Sequence, residues 1–185
     1  PGLVGAGAAA TAALSGDGLH VTFEAVREGG APSRDVFLRD LALGTNEWLS
    51  APRFGGAPGY SFGGSISADG RLVAFLSDAS TLVPNDPPFT TDVFLLDRAN
   101  GTLRVASTTP SGAPSNGLAQ LPRLSLDGQW LVFQSDATDI DPSDTNGAVD
   151  VFAQHERTAV GQPPDLAHRR NRRMAQRLQQ RRFGR

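Results

Sequence analysis

The 185-residue chain has no cysteine and no lysine. Without cysteine there is no disulfide framework, no thiol nucleophile and no cysteine-ligated zinc site. That absence leaves the compartment open, because a reducing cytosol and an oxidising periplasm both tolerate it. Without lysine, all 17 basic residues are arginine, a usage that points to a GC-rich coding sequence rather than to a physical demand. No run approaches the ~20 consecutive apolar residues of a membrane-spanning helix. The Ala/Gly-rich stretch 4–14 resembles the apolar part of a signal peptide but has no basic segment before it. What is plentiful is punctuation: 21 Gly and 13 Pro between short apolar runs favour an all-β chain with many turns.

Charge divides the chain. Residues 1–167 carry all 19 acidic side chains and nine Arg, for −10, whereas residues 168–185 carry eight Arg and no acid, for +8. The net charge of −2 therefore describes neither part.

Two markers recur three times in register. The first is apolar-Ser-x-Asp-Gly-x-x-apolar-x-Phe, at Leu14–Phe23, Ile66–Phe75 and Leu124–Phe133. The second is Asp-Val-Phe, at Asp35-Val36-Phe37, Asp92-Val93-Phe94 and Asp150-Val151-Phe152. The Asp-Val-Phe copies lie 57 and 58 residues apart, and the first copy is shorter only between its two markers. Asp-Gly suits a tight two-residue hairpin, since Gly accepts positive φ without steric penalty. In the second copy, strands are expected at about 65–67, 72–76, 93–97 and 102–106. Val73 and Phe75 alternate with Leu72, Ala74 and Leu76, so this strand is apolar on both faces and must be covered on both. A β-sandwich has strands of similar length but no reason to repeat both markers. The expected fold is therefore all-β: about three four-stranded antiparallel β-propeller blades in an incomplete ring. The divisions are an interblade linker at 1–13, a shortened blade at 14–50, a blade at 51–107, an incomplete blade at 108–160 and an Arg-rich tail at 161–185. The third copy falters where Gly161-Gln162-Pro163-Pro164 replaces its fourth strand.

At Ser67–Phe75, Leu82-Val83-Pro84-Asn85-Asp86, Ser125–Phe133, Asp144-Thr145-Asn146-Gly147 and both following Asp-Val-Phe markers, the chain resembles the TolB-type, WD40-like (PD40) propeller repeats. The resemblance covers about residues 14–154. It implies a bacterial protein of the periplasm or cell exterior, although a cytoplasmic one is compatible with the residues. It also implies linkers rich in small residues, as at 51–64 and 108–122, so that Pro1 would fall inside such a linker with further blades before it. Three blades do not close a ring of four to eight; either other blades or a second copy would complete it.

Candidate sites are few. Asp136, Asp139, Asp141, Asp144, Asn146 and Asp150 crowd one loop, and oxygen donors of this kind suit Ca²⁺. Their spacing is not that of an EF-hand, and Asp and Asn brace turns through the same oxygens, which is the reading adopted. Asp40 and Asp97, like the Asp-Val-Phe aspartates, recur at fixed positions, as structural hydrogen-bonding groups do. His20, His155 and His168 are scattered, and Ser15, Ser67 and Ser125 belong to the turn marker, so no Ser-His-Asp triad is legible. The Arg tail lacks interleaved aromatics and follows a broken repeat; it reads as a disordered or short helical extension rather than a nucleic-acid-binding arm. The resemblance implies a non-catalytic scaffold that binds a protein or ligand without a cofactor, with self-association as one way to complete the ring. The alternative is the accessory propeller of a larger prolyl-oligopeptidase-like hydrolase.

Overall fold

The computed structural model describes residues 11–26, 34–56 and 58–156. Most of the expected N-terminal linker, the 27–33 segment and the Arg-rich tail lie outside them. The described chain is all-β, eleven strands in three consecutive antiparallel sheets. The first sheet holds β1 (Ala12–Leu14), β2 (His20–Val26), β3 (Arg34–Asp40) and β4 (Thr45–Trp48) in that spatial order. The second holds β5 (Ser61–Ile66), β6 (Leu72–Ser77), β7 (Asp92–Asp97) and β8 (Thr102–Val105) in the same order. The third holds β9 (Ala119–Leu124), β10 (Trp130–Ser135) and β11 (Asp150–His155), and the stretch expected to fail as its fourth strand falls outside the described residues.

The Ser-x-Asp-Gly marker builds each first hairpin, but not as the two-residue loop expected. Ser67 and Leu72 close the second hairpin (Ser67 N to Leu72 O, 2.9 Å), and Gly70 N donates to Ser67 O at 3.0 Å inside it. Only the glycine, at φ 69°, is left-handed. A type I turn ending in a left-handed Gly accounts for the longer loop. The serine then ties both ends together. Its Oγ–H donates to Asp69 Oδ1 (2.6 Å) and its Oγ accepts Leu72 N–H (2.9 Å), while Asp69 Oδ1 also accepts Arg71 N–H (3.0 Å). Ser15 with Asp17 and Ser125 with Asp127 make the same three bonds. These bonds, the serine hydroxyl first, hold the carboxyls of Asp17, Asp69 and Asp127 below the usual range. Successive turns also join one another: Asp17 N donates to Ala68 O (2.8 Å) and Ala68 N to Leu126 O (2.7 Å).

Packing follows the alternation. Every residue of β6 is buried. Val73 and Phe75 join Val36, Leu38 and Leu49 in a core between the first and second sheets. Leu72, Ala74 and Leu76 join Leu131 and Phe133 in a core between the second and third. The middle sheet is thus covered on both faces, the arrangement its two apolar sides require. Asp-Val-Phe supplies the brace. Asp92, fully buried, accepts Ser107 Oγ–H at 2.6 Å, and Ser107 Oγ accepts Val93 N–H at 3.0 Å. Asp35, Ser50 and Val36 repeat this at 2.9 and 3.0 Å. The pair ties the segment just beyond the fourth strand back to the third.

Candidate functional site

Because each sheet begins with its edge strand, β1, β5 and β9 all contribute to one open groove of about 950 Å³. Ala12 and Ala13, the Phe62–Ser65 stretch and the Leu118–Arg123 stretch line it, together with Glu24 and Arg34. Two of these strands are bulged at the same place. The register of β5 on β6 slips between Phe62 and Gly64, and that of β9 on β10 slips between Val132 and Gln134. Gly63 takes φ 63° at the first bulge, as glycine does freely. Leu121 takes φ 51° at the second. A leucine there is strained by ~1–3 kcal/mol. Its side chain is 55% exposed in the groove wall, so no burial within the chain offsets that strain.

Glu24 is the groove's fixed charge. It is buried on β2, and its Oε1 accepts the Gly63 N–H released by the bulge (2.7 Å) and the Thr11 hydroxyl. Its Oε2 pairs with Arg34 at 3.3 Å. Across the groove, Arg123 donates to the Pro122 carbonyl at 2.8 Å. The lining therefore combines apolar Phe62, Leu118 and Leu121 with backbone edge groups, one carboxylate and two guanidiniums.

The loop carboxylates scatter to separate tasks. Asp136 Oδ1 accepts Leu118 N–H (2.7 Å), as Asp78 accepts Tyr60 N–H (2.6 Å) one sheet earlier. Asp139 Oδ1 accepts Asn116 N–H (3.0 Å), and Asp141 Oδ1 accepts both Ser143 N–H (2.8 Å) and its hydroxyl (2.7 Å). Asp144 Oδ1 accepts Asn146 N–H (3.2 Å). Only Asn146 and Asp150 meet directly, through Nδ2 to Oδ2 at 3.0 Å. Among the described residues no three His, Cys, Asp or Glu side chains come close enough to hold a metal ion. We expect millimolar Ca²⁺, compared with EDTA, to move Tm by less than about 1 °C. A rise of several degrees, the mark of a ligand that binds the folded state, would overturn the turn-bracing assignment.

The remaining candidates also stay apart. Asp97 receives Arg71 through two bonds (3.0 and 2.6 Å), and the guanidinium holds its carboxyl below the usual range. Asp40 accepts the Ala42 and Leu43 amides. His20 lies 3.7 Å from Asp17 and 3.8 Å from Asp40, with no serine joining them in a relay. His155 packs edge-on against Trp130, and His168 lies outside the described residues. One pair was not anticipated. Asp86 and Asp92 are both buried, and burial, then the neighbouring Asp92, pushes the Asp86 carboxyl up to about 7. Asp86 Oδ1 and Asp92 Oδ2 have no hydrogen-bond partner.

The sequence reading also missed the groove residues. Glu24 did leave a signal: a lone acid inside the apolar run of β2, at the position Leu76 holds in β6. Leu121 left none, because its backbone angle arises only in the pairing of β9 with β10.

No family model matches the chain, and the search of curated proteins found no match. Solved structures do match. TolB from Acinetobacter baumannii aligns over 82% of this chain at 16% identity, with a TM-score of 0.50. A tricorn protease aligns over 81% at 15% identity (0.51), and a prolyl endopeptidase over 84% at 13% (0.52). The likeness is one of fold. The chain spans 30% of the TolB chain, 14% of the tricorn protease and 21% of the prolyl endopeptidase.

Proposed function

We propose that the three sheets are blades of a TolB-type β-propeller and that the chain is a non-catalytic scaffold binding an extended peptide segment of a partner along the β1–β5–β9 groove. The proposed units are the blades at 14–50, 51–107 and 108–160, set off by the linker at 1–13 and the tail at 161–185. The observation that carries the binding reading is Leu121, strained at φ 51° and 55% exposed in the groove wall. Strained and exposed apolar groups concentrate where a surface is used. The bulged edge strands beside it present backbone donors and acceptors suited to an extended chain. The acidic body, −10 over residues 1–167, speaks against nucleic acid as the partner. Among the described residues no helix is long and apolar enough to cross a membrane. A periplasmic or extracellular setting belongs to this proposal, as does the assignment of the 136–150 carboxylates to turns rather than to Ca²⁺.

The test is selection from a random displayed-peptide library on the full chain. Selected peptides are expected to lose at least about tenfold in affinity on Leu121→Asp and to keep it on Leu43→Asp, whose side chain is 75% exposed outside the groove lining. Equal binding to both variants overturns the groove as the site. A second reading, the accessory propeller of a larger hydrolase, draws on the fold likeness to two proteases. An α/β-hydrolase nucleophile elbow in the adjoining coding sequence would favour it; further repeats alone would favour the scaffold.

A further inference from the structure

We infer that the outer face of the third sheet docks on the outer face of the first sheet of a second copy, head to tail. Phe23, Phe75 and Phe133 set the three sheets in one frame, since each pairs with the Phe of its own Asp-Val-Phe marker. Within that frame both internal contacts have the same sense. The leading face of the first sheet, with Val36 and Leu38, meets Val73 and Phe75 of the second. The leading face of the second, with Val93 and Leu95, meets Leu131 and Phe133 of the third.

On the third sheet the same leading positions are Val151 and Ala153, flanked by Val132. No further sheet among the described residues covers them, and Val151 is 63% exposed. On the first sheet the receiving positions are Val21, Phe23 and Phe37. Phe23 and Phe37 stack at 5.7 Å, as do Phe75 with Phe94 and Phe133 with Phe152, the receiving pairs of the two internal contacts. The bonds between turns run in the same direction, from Asp17 to Ala68 and from Ala68 to Leu126. The free faces thus continue an interface the chain already makes twice.

A head-to-tail contact either closes into a ring or runs on as a filament. Propellers close with four to eight blades, so two copies of three sheets fall within the range and three copies do not. The contact rests on the sheet faces; the number two rests on the propeller reading proposed above.

Light scattering on the full chain should give about twice the 19.5 kDa of one copy. Val151→Glu, at an exposed position, should halve that mass while the far-ultraviolet circular dichroism stays unchanged. The absence of cysteine allows a sharper test. The double variant Val21→Cys/Val151→Cys should form a disulfide-linked dimer on oxidation, and neither single variant should. The two faces of one copy are separated by the whole stack, with sheets about 10 Å apart, beyond the ~7 Å Cα reach of a disulfide. A monomeric wild type overturns the proposal and leaves the faces to another segment or partner. Cross-linking of Val151→Cys to itself overturns the head-to-tail sense, and mass that grows without limit overturns the closed pair. Failure of the groove would be seen separately, in peptide binding by Leu121→Asp.

Discussion

Gly64→Ala is expected to destabilise the fold by about 1–3 kcal/mol, although it adds one methyl group to a residue in ordinary extended backbone. A Cβ at position 64 would lie 2.7 Å from Thr22 Oγ1 and 3.1 Å from Thr22 Cβ. Thr22 cannot give way easily. It is fully buried on β2, is β-branched and leans on the Ala13 carbonyl. The methyl must therefore push the first and second sheets apart, and the core of Val36, Leu38, Val73 and Phe75 loosens with them. Gly55→Ala is the control, since a Cβ there meets nothing within 4 Å. Urea unfolding of both variants decides the matter. If Gly64→Ala is as mild as Gly55→Ala, the sheets are not in close contact at this point. Adding Thr22→Ala to Gly64→Ala should recover part of the loss, because the two residues touch and their effects are not additive.

That contact separates what could be read in the chain from what could not. The hairpin turns were legible because all their bonds close within five residues, from Ser67 to Leu72 or from Ser125 to Trp130. The two-sided burial of β6 was legible because alternation is a property of one strand. Even locally, the turn type was misread: Asp-Gly alone suggests a two-residue loop, and the serine two places earlier widens it. The groove depends on partners far apart in the chain. Glu24 acquires its role from the Gly63 amide, 39 residues away, and that amide is free only because β5 bulges. The loop aspartates misled for the converse reason. Their crowding between 136 and 150 is a crowding in sequence, and the structure sends Asp136 and Asp139 to Leu118 and Asn116 instead of to one another.

Stability should fall as pH rises from about 4 to about 7, and Asp86→Asn should remove most of that dependence. The Asp86 carboxyl titrates near 7 in the folded chain, against about 3.9 when unfolded. Between those values the folded state holds a proton that the unfolded state has released, so acid favours folding in this window. The advantage is complete below about 4 and lost above about 7. A shift of this size corresponds to at most ~4 kcal/mol, and solvent reaching the loop lowers the expected contribution to about 2 kcal/mol. Asp92 pushes in the same direction, because burial raises its carboxyl as well, against the lowering effect of the Ser107 and Thr90 hydroxyls. Asp17, Asp69, Asp97 and Asp127 act oppositely and at lower pH, since their depressed carboxyls stabilise the fold above about 4. The useful quantity is therefore the difference between wild type and Asp86→Asn, in which those groups cancel. It should grow by about 2 kcal/mol in favour of the variant between pH 4 and pH 7.5, measured by urea unfolding. A flat difference would mean that Asp86 is ionised in the fold across the whole range. The third sheet already uses an amide for the same purpose. There Asn146 Nδ2 donates to Asp150 Oδ2, whereas the corresponding Asp92 Oδ2 has no partner and prolines fill the loop before it. An amide at position 86 would bring to the second sheet a donor of the kind the third obtains from Asn146.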